Sequence, residues 1–366
     1  MKRIALFTLY DQDGIIDRSE EYLLRSLSAM ADKLVVIVNG TINVSAMPLL
    51  RETAGEIIIR ENKGYDGGAY KEVLLGYLAD DRLSAYDELI LVNDTFYGPF
   101  YPWIEVCEQM EMRHPDFWGL TKWERQYSGS FKKILPEHVQ SYFLAFSKKV
   151  FADAAFLNFW KSMPEINSHD DAIAHFEVAL TEQLTHAGFS HLVYKDLFPD
   201  IYYDGDGGVA FSSRCYDLLK DCRFPILKKK NGFSLTNPQS LPAIQYIDTH
   251  YSYDVGMIWE NALRTLENGK LFLKVAGFCE GYKKIYVYGT GKYCAGVEEF
   301  LKYKGWSIDG YLETKPGKNE RDGKPVIAWK DFEMDKDTGI IVALGKKNTE
   351  EVKEFLPQTD AFLFLS

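Results

Sequence analysis

Residues 56–78, EIIIRENKGYDGGAYKEVLLGYL, contain the turn that decides the fold. The apolar run 56–59 predicts a buried strand, and the apolar spacing over about 69–78 predicts a helix. Between them lies the glycine-rich loop 64–68. Glycine lets a backbone turn tightly or approach a ligand closely. A strand, a glycine loop and a helix in direct succession are typical of one repeat of a parallel α/β sheet.

The same alternation extends to both sides of this turn. Short apolar runs with helical segments between them favour a mostly parallel sheet covered by helices on both faces. Ligands of such sheets bind beyond the carboxyl ends of the strands. The predicted strands of this region are 4–9, 34–38, 56–59, 89–92, 117–120 and 141–146.

A second strand–helix pattern occupies the last part of the chain. The strand 285–288 leads into Gly289-Thr290-Gly291, which is half of a dinucleotide-binding fingerprint. Glu313 follows about 20 residues later, where such sites place the acid that binds a ribose. We therefore predict a large domain over 1–278 and a Rossmann-like accessory domain over 279–366. A docking or nucleotide-sensing role is favoured there over redox catalysis, so no redox cofactor is expected for the main activity.

Composition narrows the class of protein further. The net charge of −11 argues against nucleic acid as a partner. Five cysteines, none in a C-x-x-C pair, favour a reducing compartment over a disulfide framework. No apolar stretch approaches the roughly 18 residues of a membrane span. We expect a cytoplasmic protein, with peripheral contact to the inner face of the cell membrane left open.

Two loops carry the candidate chemistry. Asn62 and Asp66, in the glycine-rich loop, are of the right type to hydrogen-bond a base or a ribose, and a helix beginning after the loop offers free N–H groups to an anion. Asn93-Asp94-Thr95 follows the strand 89–92, where an acidic residue can hold a divalent cation against a diphosphate. Each loop alone is equally compatible with an ordinary turn. Their order on successive strands favours a nucleotide-sugar site.

Several ordered segments resemble the rhamnan synthesis protein F family. They are ALFTLYDQDGIID (5–17), ENKGYDGGAYK (61–71), YDELILVNDTFYGPF (86–100), DFWGLT (116–121) and HVQSYFLAF (138–146). The resemblance covers roughly residues 1–270. It implies a GT-A-like nucleotide-sugar-binding domain with a mostly parallel central sheet, beside the small C-terminal Rossmann-like α/β domain. It also implies a glycosyltransferase of bacterial surface polysaccharide synthesis that uses a rhamnosyl donor.

The resemblance also assigns donor-binding residues. Asn93-Asp94-Thr95 stands where GT-A enzymes carry Asp-x-Asp, so this chain has one carboxylate there instead of two. Mg²⁺ or Mn²⁺ at Asp94 is therefore an open question, and Lys63 or Lys71 is an alternative source of positive charge. The predicted donor-binding residues are Thr8, Tyr10, Asp11, Asn39, Asn62, Gly64, Tyr65, Asp66, Gly68, Lys71, Asn93 and Asp94.

The helix predicted over 171–187 supplies a candidate base. Glu177 falls at the edge of an apolar stripe, where burial is expected to raise its pKa toward that of a useful base. Asp170 and Asp171 are rivals, and either is equally well explained as a helix N-cap. Glu177 is equally well explained as a boundary residue paired with a cation. The predicted acceptor-binding residues are Trp118, Thr121 and Gln140, with Trp123 and Tyr127 as stacking candidates.

Three functions are compatible with these features. The first is inverting transfer of a sugar, rhamnose by resemblance, from a donor such as dTDP-rhamnose to a growing cell-surface polysaccharide or lipid-linked glycan. Other polysaccharide-synthesis proteins are then candidate partners. The second is a nucleotide- or NAD-responsive regulator that binds glycan without transferring it. The third is an oxidoreductase that modifies sugar nucleotides.

Overall fold

The computed structural model describes residues 1–196, 214–235 and 237–365. The chain forms two compact units, which are residues 1–210 with 224–226, and residues 211–223 with 227–366. This division differs from the predicted boundary at 278–279, because the helices over 240–280 pack against the C-terminal unit. The ring of Phe272, for example, lies 4.9 Å from that of Phe300.

The first unit is built around a seven-stranded sheet in the order β12-β6-β11-β4-β1-β2-β3. Every neighbouring pair is parallel except those made by β11, which runs antiparallel to both β4 and β6. The predicted α/β fold with a mostly parallel sheet is therefore confirmed. The strands are β1 (Arg3–Leu9), β2 (Lys33–Asn39), β3 (Glu56–Arg60), β4 (Glu88–Asn93), β5 (Phe96–Tyr97), β6 (Phe117–Gly119), β7 (Lys122–Trp123), β8 (Gln126–Ser128), β9 (Lys133–Leu135), β10 (His138–Val139), β11 (Phe143–Ser147) and β12 (His191–Val193).

Strand register brings the candidate loops together. Thr8 of β1 is paired with Asn93 of β4, and Asn39 of β2 is paired with Arg60 of β3. Because β1 to β4 run parallel to one another, the loops that follow them emerge at one edge of the sheet. The helices are α1 (Arg18–Met30), α2 (Met47–Thr53), α3 (Tyr65–Ala79), α4 (Trp103–Glu111), α5 (Lys148–Phe151), α6 (Ala154–Ser162), α7 (His169–Asp171) and α8 (Ala179–His186).

Between α7 and α8 the chain continues without a break as a π-helical segment, Ala172–Val178. Phe176, Leu180 and Leu184 are buried in the core, as the apolar stripe predicted. Glu177 lies beside them and is only partly exposed. Short π-helical segments inside helices are often found at functional sites.

The second unit contains a six-stranded sheet in the order β16-β17-β15-β14-β18-β19, parallel except for β16. The central strand β14 is followed by a helix, and chain order reverses on either side of it, which is the doubly wound arrangement. The elements are α9 (Cys215–Cys222), β13 (Leu227–Lys228), α10 (Lys229–Gly232), α11 (Ser240–His250), α12 (Gly256–Thr265), α13 (Glu267–Glu280), β14 (Lys284–Tyr288), α14 (Lys292–Tyr303), β15 (Gly310–Glu313), β16 (Glu320–Arg321), β17 (Lys324–Ala328), β18 (Thr338–Val342), α15 (Lys346–Lys353) and β19 (Phe362–Phe364).

Within the described parts of the chain, no helix combines the length and apolar character needed to span a bilayer.

Candidate functional site

The loops after β1, β3 and β4 are joined by side-chain hydrogen bonds. Asn93 Nδ2 donates to Asp66 Oδ2 at 2.8 Å, which links the end of β4 to the first turn of α3. Asp94 Oδ2 accepts from the backbone N–H of Tyr10 at 2.9 Å, which links the same loop to the end of β1. The two loops that the sequence singled out therefore meet, and the loop after β1 joins them.

Asp66 lies in the first helical turn of α3, where the backbone N–H of Gly67 also donates to its carboxylate at 2.9 Å. Burial raises the pKa of Asp66, even though the donors Asn93 and Gly67 act in the opposite direction. The negative charge of Glu177 adds to the rise of that pKa. Asp66 is thus a carboxylate poised to take up a proton more readily than an exposed aspartate.

Tyr70 lies beneath these two loops and was missed by sequence reasoning. Its side chain is fully buried, and Thr8 Oγ1 lies 3.2 Å from its hydroxyl. Burial raises the pKa of Tyr70 well above its usual value, and the charges of Asp66 and Asp94 raise it further. The two carboxylates therefore lie near the same phenol. Thr8 is buried, and its contact with Tyr70 links the end of β1 to α3.

Asn39, at the end of β2, supports the glycine loop through two hydrogen bonds. Its Oδ1 accepts from Arg60 Nη1 at 2.6 Å, and its Nδ2 donates to the Tyr65 carbonyl at 3.3 Å. Arg60 also donates to the Lys63 carbonyl at 2.9 Å and pairs with Glu72 at 2.8 Å. Asn39 is buried, and its hydrogen bonds tie the end of β2 to the glycine loop. Arg60 was missed, although a lone cation at the end of an apolar strand was a visible signal.

Other predicted residues face solvent above the loops. Tyr10 is 51% exposed, and Asn62 and Tyr65 are also exposed. A Cβ atom placed on Gly40 would lie 3.9 Å from the Tyr10 ring and 3.8 Å from Asn62 Cβ, so these two side chains flank the same glycine. An exposed aromatic ring beside an amide is a suitable surface for a flat base.

Asp11 organises the loop after β1. Its Oδ1 accepts from the backbone N–H groups of Asp13 and Ile15, each at 3.0 Å. Aspartate side chains commonly form turns by accepting hydrogen bonds from backbone N–H groups a few residues later. These bonds use one of the two carboxylate oxygens of Asp11. Asp11 is partly exposed and lies one residue beyond Tyr10.

The structure explains each glycine of the loop by a different local requirement. Gly64 has a φ of 79°, a backbone conformation that favours glycine. A Cβ on Gly67 would lie 2.7 Å from Ile166 Cδ1 and 3.0 Å from Phe176 Cγ, so this glycine allows α3 to approach the π-helical segment. A Cβ on Gly68 would lie 3.0 Å from the Lys63 carbonyl oxygen. The pattern thus reflects local packing first, whereas it was interpreted as close approach to a ligand.

Lys63 and Lys71, the predicted alternative sources of positive charge, make different contacts. Lys71 Nζ donates to the Met163 carbonyl at 2.5 Å, at the end of α6. Lys63 lies 3.7 Å from Glu165 and is largely exposed. The charge of Lys71 is therefore used to hold α3 against α6.

Glu177 is held by three donors. Its Oε2 accepts from the backbone N–H and the Oγ of Ser141 at 2.8 and 2.7 Å. Its Oε1 lies 3.3 Å from His138 Nε2, while His138 Nδ1 lies 2.8 Å from the Pro136 carbonyl. Both nitrogens of the imidazole thus face acceptors, an arrangement that only the doubly protonated, charged ring satisfies fully.

The expected rise in the pKa of Glu177 is wrong. Burial alone would raise that pKa, but the hydrogen bond and charge of His138, with the two Ser141 donors, lower it below its usual value. The pKa of His138 is raised in turn, because Glu177 outweighs the effect of burial. Glu177 is therefore a stable anion that ties the loop before β11 to the π-helical segment.

The predicted acceptor residues divide into two groups. Thr121 Oγ1 donates to Gln140 Oε1 at 2.6 Å and lies within hydrogen-bond distance of the Tyr142 hydroxyl. Gln140 is partly exposed and immediately precedes Ser141, the partner of Glu177. Trp118 is only 3% exposed, and its indole N–H donates to Glu88 at the amino end of β4. Trp118 therefore belongs to the core, because its side chain reaches toward the opposite edge of the sheet.

Asp171 lies in the first turn of α7, whose N-cap is Ser168 and not Asp170 or Asp171 as predicted. It accepts from the backbone N–H of Asn167 at 3.0 Å, while its own N–H donates to Ser168 Oγ at 3.0 Å. These hydrogen bonds lower the pKa of Asp171. Asp170 is exposed on the same short helix. The glycine-rich segment with Asp204 and Asp206 lies outside the described residues.

Asp66 and Asp94 are the carboxylates of the two loops that meet at this edge of the sheet. The described residues contain no cluster of three or more histidine, cysteine or acidic side chains suited to a metal. A hard cation here would have to take its remaining oxygen ligands from a diphosphate and water, as Mg²⁺ commonly does.

The candidate nucleotide-binding residues of the second unit lie near the carboxyl ends of β14 and β15. Gly289 has a φ of 98°, and a Cβ there would lie 2.5 Å from Leu344. A Cβ on Gly291 would meet nothing within 4 Å, so open space lies above the start of α14. Glu313, at the end of β15, accepts a hydrogen bond from Thr290 Oγ1. The three predicted residues are thus brought to one edge of the second sheet.

Comparison with known proteins gives several likenesses. The chain is 27% identical over 190 residues to the uncharacterized protein y4gN of Sinorhizobium fredii, covering 51% of this chain and 46% of that protein. It is 29% identical over 194 residues to the virulence protein VirA of Vibrio anguillarum, covering 51% and 57%. The chain spans about half the length of the curated relatives it matches.

Among solved structures, one match is glucosyl-3-phosphoglycerate synthase from Mycobacterium tuberculosis in complex with Mn²⁺, UDP-glucose and phosphoglyceric acid. The identity is 12% and the TM-score 0.32, over 61% of this chain and 80% of that one. A family model described as rhamnan synthesis protein F matches residues 34–288, which is well over half of the sequence. The chain belongs to the rhamnan synthesis protein F family.

Proposed function

We propose that this protein is a glycosyltransferase that takes a sugar, rhamnose in the first instance, from a nucleotide diphosphate donor. The observation that carries the proposal is the hydrogen bond from Asn93 to Asp66. It joins the glycine loop to Asn93-Asp94-Thr95 at the carboxyl edge of a parallel sheet, where such folds bind their ligands. Membership of the rhamnan synthesis protein F family supports the choice of sugar.

In this proposal the donor lies over the loops after β1, β3 and β4. Tyr10 and Asn62 contact the base, and the open start of α3 faces the diphosphate. Asp94 supplies an oxygen ligand for Mg²⁺ or Mn²⁺, and the other ligands come from the diphosphate and water. A bound cation would offset the negative charge that develops on the departing nucleoside diphosphate.

The proton acceptor we favour is Asp66 instead of Glu177. A general base works best when its pKa is close to the operating pH. Burial raises the pKa of Asp66, whereas the partners of Glu177 lower its pKa. The acceptor hydroxyl attacks the anomeric carbon, its proton passes to Asp66, and the nucleoside diphosphate leaves with the electrons of the broken bond. One displacement inverts the anomeric configuration.

Gln140 and Thr121 are the acceptor-side residues in this arrangement. They adjoin Ser141, which Glu177 holds through two hydrogen bonds. Glu177 and His138 are then positioning residues for the acceptor side. The acceptor itself is a polysaccharide chain end or a lipid-linked glycan, and other polysaccharide-synthesis proteins are candidate partners.

The test is calorimetric titration of the full chain with dTDP-rhamnose and UDP-sugars, with and without Mg²⁺ or Mn²⁺, followed by a transfer assay. Asp94→Asn is expected to weaken donor binding and to remove its dependence on the cation. Asp66→Asn is expected to keep donor binding and to lose transfer by about 10²- to 10⁴-fold. Asp80→Asn, which changes an exposed carboxylate at the end of α3, serves as the matched control. If no nucleotide sugar binds or turns over, the proposal fails.

A second candidate function concerns the C-terminal unit, whose doubly wound strand order places Gly291 and Glu313 at one edge of the sheet. This favours a nucleotide- or NAD-sensing role, in which the chain would bind glycan without transferring it. Titration of the full chain with NAD and nucleoside diphosphates tests it. Binding that survives Asp94→Asn but is lost in Gly291→Glu, without sugar transfer by the unsubstituted protein, would favour this role.

A further inference from the structure

A two-stranded hairpin, β8 with β9, projects an apolar pair into solvent. Tyr127 of β8 lies directly opposite Ile134 of β9, so the two side chains are neighbours on one face. They are 62% and 57% exposed. Leu135, the next residue, is buried, so the strand β9 turns one face inward and leaves the Ile134 face uncovered.

The charges around this pair are all positive. Residues 125–134 contain Arg125, Lys132 and Lys133 and no acidic residue, in a chain whose net charge is −11. All three cations are exposed, and none forms an ion pair with a residue that the structure describes. Lys133 lies over the Phe131 ring at 6.0 Å. A basic patch without counter-ions on an acidic protein indicates a negatively charged partner surface.

The hairpin has a firm base. It connects β7 with β10, which pair through Trp123 and His138. Lys122 of β7 is paired with Glu124 and Glu137, each at 2.9 Å, and its pKa is raised by those partners in spite of partial burial. His138 is anchored on Glu177 at 3.3 Å. The exposed tip is therefore held in a fixed orientation by the unit that contains the candidate site.

We propose that the face of Tyr127 and Ile134, with Arg125, Lys132 and Lys133, docks on a bilayer that contains anionic lipid. Tyrosine suits the membrane–water boundary, because its ring is apolar and its hydroxyl stays hydrated. Isoleucine inserts among the acyl chains, and the cations face the lipid headgroups. A second copy of this chain would bring its net charge of −11 against that of the first, which opposes self-association. A neutral glycan would leave the three cations unused.

One consequence of this docking surface concerns the acceptor, and it rests on the proposed function. The hairpin is inserted between Thr121 and Gln140, the acceptor-side residues. Contact of the hairpin with the bilayer would bring the acceptor side close to a glycan attached to lipid. The binding to membrane itself requires no donor and no transfer.

The experiment is vesicle co-flotation of the full chain, without nucleotide sugar. Vesicles of phosphatidylcholine mixed with phosphatidylglycerol are compared with vesicles of phosphatidylcholine alone. We expect the protein to float with the mixed vesicles only, and to be released by salt, because attraction between exposed charges is screened. Lys132→Gln with Lys133→Gln is expected to weaken binding about tenfold or more, as is Tyr127→Ser with Ile134→Ser.

Two matched variants separate this surface from general charge and hydrophobicity. Lys346→Gln with Lys347→Gln removes an exposed lysine pair from α15, and Val44→Ser with Met112→Ser removes two side chains that are 82% and 72% exposed. Both should float as the unsubstituted protein does. Failure to float with mixed vesicles, equal loss in the control variants, or a self-associated species that Tyr127→Ser dissociates would each overturn the proposal. Since donor titration is a separate measurement, failure here leaves the proposed transfer reaction to stand or fall on its own test.

Discussion

Asn93 donates a 2.8 Å hydrogen bond to the carboxylate of Asp66, 27 residues earlier in the chain, and so joins two loops that follow different strands. Asn93 is itself fixed, because its Oδ1 accepts from the Thr95 hydroxyl at 2.7 Å. Asp66 shares this environment with Glu177, whose charge raises the Asp66 pKa. The donor side and the acceptor side of the candidate site are thus coupled electrostatically through one carboxylate.

Replacement of Asn93 by alanine should therefore raise the pKa of Asp66 further, since one donor to its carboxylate is lost. We expect a decrease of about 1–3 kcal/mol in the free energy of unfolding, which is the cost of leaving a buried polar group without its partner. Urea denaturation measures this change. Asn348→Ala, on the exposed face of α15, is the matched control and should change stability by less than about 0.5 kcal/mol. Equal stability of both variants would contradict the role assigned to Asn93.

The His138–Glu177 pair predicts a pH dependence of stability. The folded-state pKa of His138 is raised above 6.5, so its contribution is complete below that value and is lost as pH rises through the raised pKa. The pKa of Glu177 is lowered below 4.5, so its contribution is present above 4.5 and is lost as pH falls through the lowered pKa. The pair should therefore stabilise the protein most between these two values.

Denaturation of the unsubstituted protein and of His138→Gln across this range measures the contribution. Removing one partner of a buried ion pair lowers the free energy of unfolding by roughly 3–5 kcal/mol. The variant should therefore lose about that much stability near pH 6 and less at about pH 8. His186→Gln, which changes an exposed histidine on α8, should show no such difference. A loss of stability in His138→Gln that does not vary with pH would contradict the charged state of the imidazole.

Arg60 should control the order of the glycine loop. It bonds Asn39 at 2.6 Å and the Lys63 carbonyl at 2.9 Å, and these contacts hold the loop on the end of β2. Arg60→Lys keeps the charge but loses the forked geometry of the guanidinium, so it should not restore the loop. We expect amide hydrogen exchange over residues 61–68 to accelerate in both Arg60→Lys and Arg60→Met. Protection equal to that of the unsubstituted protein in Arg60→Lys would show that charge alone suffices.

Much of this architecture was visible in the sequence, for identifiable reasons. Strands β1, β2 and β4 are continuous apolar runs, and chain order alone placed the loops after β3 and β4 at one edge. The antiparallel insertion of β11 between β4 and β6 was not visible, because strand pairing depends on contacts far apart in the chain. The same holds for Trp118, whose partner Glu88 lies on another strand.

The chemical state of the candidate site was harder to predict than its location. The helical spacing placed Glu177 correctly beside the core, but no local pattern indicated that His138 and Ser141 would converge on it from a separate loop. Burial and hydrogen bonding act in opposite directions on a carboxylate pKa, and only the three-dimensional partners decide which effect is larger. The same limit explains why the contacts of Thr8 with Tyr70 and of Asn39 with Arg60 could not be predicted, since the partners are distant in sequence.

Gly67 and Gly76 both lie in helix α3, but only Gly67 is closely packed. Comparing alanine substitutions at the two positions tests whether packing requires the glycine of the loop. A Cβ on Gly67 would lie 2.7 Å from Ile166 Cδ1, whereas a Cβ on Gly76 would meet nothing within 4 Å. Gly67→Ala should therefore lower the free energy of unfolding by about 1–3 kcal/mol through overpacking against the π-helical segment. Gly76→Ala should raise it by roughly 0.5–1 kcal/mol, because alanine favours a helix interior more than glycine does. Thermal or urea denaturation of both variants gives the comparison, and stabilisation by Gly67→Ala would mean that α3 and Phe176 are not packed as closely as this contact requires.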